Sequence, residues 1–336
     1  MQLACKFAFR FLVLTAVFSP LFSLRVFSAN DKKAEQAEAR ALLAKSRDLS
    51  NIELAGSPAF VLNAKIRYTV GTQSAGGDAT IAWMAPNHYR QAYSAPNYSY
   101  SEVVQDGHRY LARTDNKMPL LIYELDATLY KAIHASADSK DKIKKVETAQ
   151  SGDTALTCIQ FKPPVSLTEC LDSSGDVITA ATSLTPGASA LNERFEFSDF
   201  IEFGTRRFPR KIVFRGGDGH AIEINVEQLA PTNNVPVDTF TIPADATKET
   251  WCAKPESGTV VSPEWNMFAS LPIINAGALL YCVVGPDGHL RAVTVIHSSK
   301  PIKDKDLQTW MKTVRFPRLR CGNDGMEYEV EIGHVN

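Results

Sequence analysis

Alternation of apolar and polar side chains at every second position is the feature that most restricts the fold of this chain. Between residues 60 and 70 the even positions are Phe, Leu, Ala, Ile, Tyr and Val, whereas the odd positions from Asn63 onward are Asn, Lys, Arg and Thr. Successive side chains of a strand point to opposite faces, so the pattern predicts a strand with one face in the core and the other in water.

More short stretches of strand-forming residues follow, separated by turn residues such as Gly107 and Gly216 to Gly219. The predicted strands lie at 79–84, 88–94, 98–104, 109–113, 155–161, 166–171, 177–182, 193–200, 210–215 and 222–229. Their spacing predicts an antiparallel rather than a parallel sheet, of roughly ten strands between residues 55 and 245. Helical patterns at 30–48 and 120–134 predict helices packed on one side of it.

The last part of the chain has its own pattern. Residues 278–284 are apolar on both faces, which predicts a central strand, and a Gly-Pro-Asp-Gly turn leads to a second strand at 290–297. A helix at 304–314 with Leu307 and Trp310 on one face and an alternating strand at 327–332 complete a β-β-α-β unit. A polar stretch precedes this unit, so we place a domain boundary near residue 250, between domains of residues 30–250 and 251–336.

The N-terminus has the parts of a secretory signal peptide. Lys6 and Arg10 precede an apolar run at 11–24, and small residues end the segment at Ala29. Cleavage follows Ala29 or, one residue earlier, Ser28. The run of about 14 residues is shorter than the roughly 20 that span a bilayer. The sequence therefore predicts a periplasmic or secreted protein, with retention as an inner-membrane anchor as the alternative.

The net charge of the chain restricts the kinds of partner that it can bind. The segment of residues 1–29 holds three basic and no acidic residues, so its removal takes the net charge from −1 to −4. Nucleic-acid binding requires a basic face, which an acidic chain of this composition does not indicate. We expect no nucleic-acid partner, and membrane contact only if the N-terminal segment is retained.

Five cysteines remain after the signal peptide, and an oxidising compartment favours disulfides among them. Cys158 and Cys170 flank a short stretch that fits a hairpin, so we expect them to pair. Cys282 and Cys321 form the second predicted pair. Cys252 is then left over, although it could replace either member of that second pair.

Motifs that carry catalysis are missing from the sequence. It has no Gly-x-Ser-x-Gly, His-Glu-x-x-His, phosphate loop or Gly-x-Gly-x-x-Gly, and no Cys-x-x-Cys or Cys/His cluster. His108, His220 and His289 each follow a turn glycine, where solvated turn residues explain them. We therefore expect no enzyme, no cofactor and no metal.

The C-terminal segment resembles a known family. Residues 279–299, Leu-Leu-Tyr-Cys-Val-Val-Gly-Pro-Asp-Gly-His-Leu-Arg-Ala-Val-Thr-Val-Ile-His-Ser-Ser, resemble the strand, Asp-Gly turn and second strand of the C-terminal domain of TonB-type energy transducers. Residues 304–317 are similar to its helix and the following Arg-Phe-x-Pro. The resemblance implies a third strand at a sheet edge, where a partner's strand could add by backbone pairing. Its residues include Met326, Tyr328, Val330 and Ile332.

A second resemblance covers residues 35–250. Residues 77–90, ending in Ala-Pro-Asn-His-Tyr-Arg, together with the Asp106-Gly107 turn, Phe208-Pro209 and the Phe-Thr-Ile-Pro of 240–243, resemble the outer-membrane lipoprotein carrier (LolA-like) superfamily. The resemblance implies a curved, unclosed barrel with helices on its concave side. The predicted fold class is therefore α+β, a large antiparallel half-barrel followed by the small β-β-α-β domain.

The resemblance also implies a cavity that holds an acyl chain or another apolar segment. Aromatic residues in the predicted strands either pack within the sheet or line that cavity. The predicted wall comprises Leu62, Ile66, Tyr68, Trp83 and Tyr93.

Two functional hypotheses follow. The first is a periplasmic, non-enzymatic binding or adaptor protein that holds an apolar ligand or a lipid-modified segment in the half-barrel and docks a protein partner through its C-terminal domain. The alternative is a membrane-anchored TonB-type component of outer-membrane transport, retained by residues 7–24.

Overall fold

The computed structural model describes residues 29–53, 57–133, 141–162, 167–183, 192–216, 219–232, 235–252, 256–257, 278–298 and 300–333. The predicted signal peptide lies outside these ranges apart from Ala29, the first residue of helix α1 (Ala29–Ser50). Its cleavage therefore stays a prediction.

The larger sheet is antiparallel throughout. Its thirteen strands are β1 (Phe60–Val70), β2 (Gln73–Ala85), β3 (His88–Ala95), β4 (Tyr98–Gln105), β5 (His108–Arg113), β6 (Ile143–Ser151), β7 (Thr154–Phe161), β8 (Leu167–Leu171), β9 (Val177–Ser183), β10 (Asn192–Phe203), β11 (Arg206–Arg215), β12 (Ala221–Pro231) and β13 (Thr247–Thr250).

The spatial order of these strands is β13-β5-β4-β3-β2-β1-β12-β11-β10-β9-β8-β7-β6. Strands β1 to β5 form one meander and β6 to β12 another, and the pairing of β1 with β12 joins them. Within the described ranges the sheet does not close, because β13 and β6 are its two ends. A mostly antiparallel, unclosed sheet confirms this part of the predicted fold class.

Strand β1 shows how the alternating sequence positions the core. Phe60 and Leu62 have no exposed surface, whereas Lys65 and Arg67 on the other face are exposed. Lys65 pairs with Asp78 of the neighbouring strand β2. Such exposed pairs contribute little, typically below about 1 kcal/mol, so burial of the apolar face stabilises the strand.

Two helices cover one face of the large sheet. Helix α1 buries Leu43, and helix α2 (Leu120–Ile133) buries Ile122, Leu125 and Leu129. All four belong to the same hydrophobic cluster as the inward residues of β1. The two helices therefore share a single core with the sheet.

The C-terminal part builds two small sheets around a third helix. The elements are β14 (Glu256–Ser257), β15 (Ala278–Val284), β16 (Leu290–Ser298), α3 (Asp304–Thr313), β17 (Leu319–Cys321), β18 (Asp324–Met326) and β19 (Tyr328–Gly333). One sheet has the order β16-β15-β19 and the other β14-β17-β18. We call the residues from 278 to 333 the C-terminal unit.

The central strand β15 contributes to both cores. Leu280 and Cys282 pack with Leu307 and Trp310 of α3 in a separate cluster. On the opposite face, Tyr281 joins the core of the large sheet. A strand that is apolar on both faces is thus sandwiched between α3 and the large sheet.

Two boundaries differ from the sequence prediction. Residues 247–250, within the predicted polar linker, form β13, which pairs with β5 at the end of the large sheet. Met326 does not belong to the last strand; it ends β18 and pairs with Leu319. Glu327, between the two strands, has its side chain buried among arginines, as described below.

The disulfides correct one predicted pair. Cys158–Cys170 is present and joins the neighbouring strands β7 and β8, as predicted. The predicted Cys282–Cys321 pair is wrong, because Cys321 bonds Cys252 instead. Cys282 is free and completely buried between β15 and α3, and burial raises the pKa of its thiol to about 12.

Candidate functional site

A cavity of about 610 Å³ lies between the large sheet and the C-terminal unit. Helix α2 and strands β10 and β11 form one side, and strands β15 and β19 form the other. Its volume falls in the range of roughly 300–1,000 Å³ typical of small-molecule sites. Both parts of the chain must be in place for the cavity to exist.

Aromatic rings form much of the wall. Tyr123 of α2 lies against Tyr281 of β15 with ring centroids 4.9 Å apart, and Phe195 of β10 lies 5.2 Å from Phe214 of β11. These are separations at which aromatic pairs attract each other. The full lining is Met118, Tyr123, Glu124, Asp126, Ala127, Glu193, Phe195, Phe214, Leu279, Tyr281, Glu329, Val330 and Glu331.

The second component of the wall is acidic. Five lining side chains are carboxyls and none is Lys or Arg. Glu329 comes from the C-terminal unit and Asp126 from α2. Glu329 is exposed along the cavity, yet the protein atoms around its carboxyl displace water and, with the charge of Asp126, raise its pKa against a hydrogen bond from Tyr281. Burial also raises the pKa of Asp126 to about 6.

Three of these acids have a described polar partner. The Tyr93 hydroxyl donates to Asp126 Oδ1 at 2.7 Å, and the Tyr123 hydroxyl donates to Glu331. Behind the wall, Nε2 of the buried His220 lies 2.7 Å from Glu124 Oε1. A neighbouring side chain therefore orients each of Asp126, Glu331 and Glu124.

An ionic cluster, buried except for Arg291, joins the large sheet to the C-terminal unit beside this cavity. Arg109 of β5 donates to Glu249 of β13 at 2.7 Å, and Arg113 Nη1 lies 3.1 Å from Glu327 Oε1. Arg291 of β16 donates to Glu327 at 2.8 Å. The Glu327 side chain has no exposed surface. We call these five residues the arginine–glutamate cluster.

The cluster lies next to a covalent link. Cys252 lies two residues after the end of β13, and its bond to Cys321 ties the end of the large sheet to β17. Glu102, on β4, accepts hydrogen bonds from Tyr89 at 2.7 Å and Tyr100 at 2.5 Å. One disulfide and several ion pairs therefore hold the two walls of the cavity together.

The five residues predicted to bind an apolar ligand lie in the core instead of on this wall. Leu62, Ile66, Trp83 and Tyr93 are buried in the cluster beneath the helices, and Tyr68 is half-buried beside it. None of them lines the cavity. Tyr93 reaches it indirectly, through its hydrogen bond to Asp126. Direct contact of these residues with a ligand stays a prediction.

The four residues of the predicted edge strand lie on two different strands. Tyr328, Val330 and Ile332 lie on β19, whose neighbour in the sheet is β15, and their side chains pack on the core beneath α3. Met326 lies on the preceding hairpin. Val330 also lines the cavity, together with Glu329 and Glu331, which the sequence did not single out.

Neither a group of possible metal ligands nor a helix able to span a membrane occurs among the described residues. No group of three or more His, Cys, Asp or Glu side chains in the described ranges could hold a metal ion. None of the helices in the part of the chain that the structure describes is both long and apolar enough to cross a membrane.

Comparisons with known proteins give structural neighbours alone. No protein-family model matches the chain, and no curated protein matches it. Similar solved structures include a LolA superfamily protein from Nitrosomonas europaea, with 10% identity, a TM-score of 0.39, and coverage of 60% of this chain and 97% of that chain. A DUF1329 family protein from Desulfovibrio piger has 8% identity, a TM-score of 0.40, and coverage of 61% and 96%.

MucB is also similar, with 11% identity, a TM-score of 0.32, and coverage of 89% of this chain and 94% of that chain. Because all three TM-scores are below 0.5, these similarities assign neither a family nor a function to the chain. The TonB-type resemblance of residues 251–336 stays a prediction.

Proposed function

We propose that this chain is a non-enzymatic, extracytoplasmic binding protein whose ligand occupies the cavity between the large sheet and the C-terminal unit. The ligand is an apolar molecule or a lipid-modified segment. The observation that carries the proposal is the cavity itself, of about 610 Å³ and walled by four aromatic rings. Aromatic walls of this kind offer a large apolar contact area at a low cost in side-chain entropy.

The construction of the site supports a binding role. Tyr123, Phe195 and Phe214 stand on regular helix and strand, and packed core residues surround them. A site built on rigid elements is formed before the ligand arrives, so binding costs little ordering of the protein. The disulfide Cys252–Cys321 and the arginine–glutamate cluster fix the second wall in the same way.

Docking of a protein partner is the second part of the proposal. Strand β19 lies at the end of the sheet order β16-β15-β19, which supports strand addition at its outer side. The membrane-anchored alternative requires that residues 7–24 stay attached. Sequencing the N-terminus of the mature protein tests it, since a chain beginning at Asn30 contradicts anchoring.

Extraction of the purified protein tests the binding role. The protein is expressed with export to the periplasm, purified without detergent, and extracted with organic solvent for mass spectrometry. We expect one class of apolar molecule at close to one equivalent per chain. The absence of any apolar molecule, together with no binding of the neutral fluorescent probe N-phenyl-1-naphthylamine, would refute the proposal.

A further inference from the structure

The charge of the cavity walls restricts the charged group that an apolar ligand can carry. Carboxyl side chains face the cavity from three elements: Glu124 and Asp126 from α2, Glu193 from β10, and Glu329 and Glu331 from β19. The lining residues include no Lys or Arg. Among the described residues, a basic side chain beside this wall is His220, whose Nε2 lies 2.7 Å from Glu124 Oε1.

An arginine that acts on Glu329 is already engaged with other carboxylates. Arg109 acts on Glu329 from outside the cavity wall, but it is bonded to Glu249 and lies 3.5 Å from Glu327. The cavity is therefore negative on both sides. Among five carboxyls, a carboxylate or phosphate would meet like-charge repulsion, whereas a cation would be attracted.

The aromatic rings independently favour a cationic ligand. Tyr123, Tyr281, Phe195 and Phe214 line the same space as the carboxyls. The faces of aromatic rings attract cations, and cages of such rings are a common way of binding ammonium groups. An apolar tail gains from the same rings by burial. One ligand can thus satisfy both components of the wall.

We propose that the ligand of this cavity is a cationic amphiphile, a small molecule with an ammonium group on an apolar body. The inference rests on the proposed binding function and names the ligand class for it. The carboxyls of Asp126 and Glu329 hold the ammonium group between α2 and β19, and the aromatic pairs cover the apolar body. The raised pKa values of both acids, about 6 and about 7, fit a site whose negative charges gain from a cation.

Three ligands with the same ten-carbon tail test the inference by isothermal titration calorimetry at pH 8, each below its aggregation limit. We expect decyltrimethylammonium to bind about tenfold more tightly than decanol, and decanoate to bind most weakly. Lowering the pH to 5 should weaken the ammonium ligand severalfold and leave decanol unchanged, because Asp126 and Glu329 take up protons. The wild-type protein suffices for both measurements.

The substitution Glu329→Gln removes one charge at constant shape. It should reduce the preference for the ammonium ligand over decanol about three- to tenfold. The matched control Glu147→Gln, on exposed β6, should leave the preference unchanged. Equal binding of all three ligands, or tightest binding of decanoate, overturns the cationic class but leaves the binding function standing. If none of the three binds, the binding function itself fails.

Discussion

The substitution Asp126→Asn should stabilise the protein at neutral pH and not at acidic pH. Asp126 lines the cavity, is half-buried, and accepts a hydrogen bond from Tyr93 at 2.7 Å. Burial and the negative charge of Glu102 raise its pKa from 3.8 to about 6, against the opposing effect of the Tyr93 hydrogen bond. The folded protein therefore holds a proton that the unfolded chain releases, so the free energy of unfolding falls as the pH rises from about 4 to about 6.

The size of the effect follows from the same pKa values. A change from 3.8 to about 6 corresponds to about 3 kcal/mol at roughly 1.4 kcal/mol per pKa unit. Water in the cavity screens part of this, so we expect about 1–2 kcal/mol. Asparagine keeps the acceptor for Tyr93 and cannot ionise. Asp126→Asn should thus match the wild type at pH 4 and exceed its stability by about 1–2 kcal/mol at pH 7.

Urea unfolding of both proteins at pH 4, 5, 6 and 7 measures this difference. Asp153→Asn, in the exposed turn between β6 and β7, is the control and should change the free energy of unfolding by less than about 0.5 kcal/mol at every pH. A variant less stable than the wild type at pH 7, or a difference that does not vary with pH, would refute the reasoning.

Three further predictions concern the interface and the free thiol. Replacing Cys252 and Cys321 by Ser opens a link between residues 69 apart and should lower the free energy of unfolding by about 4 kcal/mol in a urea titration of the oxidised protein. Glu327→Gln removes the carboxylate partner of Arg113 and one of the partners of Arg109 and Arg291, which keep Glu249, and should cost about 1–3 kcal/mol by the same assay, whereas Asp78→Asn at an exposed pair should cost less than about 1 kcal/mol. Cys282 should not react with a thiol reagent in the folded protein and should react fully after unfolding, as counted by mass spectrometry.

Local patterns predicted those parts of the fold that local physics determines. The alternation in β1 set the inward face of the strand, and the burial of Phe60 and Leu62 follows it. The Cys158–Cys170 bond was predictable because a hairpin brings the two cysteines together without help from the rest of the chain.

Strand β13 and the second disulfide depend on tertiary contacts, which local sequence patterns do not show. Strand β13, Thr247–Thr250, has no apolar alternation and forms through backbone pairing with β5, so it resembled a linker. That strand places Cys252 beside Cys321, a proximity that local spacing could not show. Because Cys321 bonds Cys252, Cys282 stays a free thiol.

The candidate cavity was not predicted, because its acidic residues occupy positions that the sequence pattern assigns to the water-facing side of a strand. Glu329 and Glu331 alternate with apolar residues on β19, as outward positions of an ordinary strand do. They become cavity residues because the C-terminal unit packs against α2 and β10. The predicted wall, including Leu62 and Trp83, did lie on the inward face of the sheet, but helices α1 and α2 pack over that face.

The most direct test of the central claim is to fill the cavity and measure binding of N-phenyl-1-naphthylamine by its fluorescence. Ala127 of α2 lines the cavity, whereas Ala44 of α1 is exposed. A cavity that is the binding site predicts that Ala127→Trp lowers the affinity at least about tenfold, while the helix control Ala44→Trp binds like the wild type. Equal affinity of all three proteins would contradict the assignment of this cavity as the binding site.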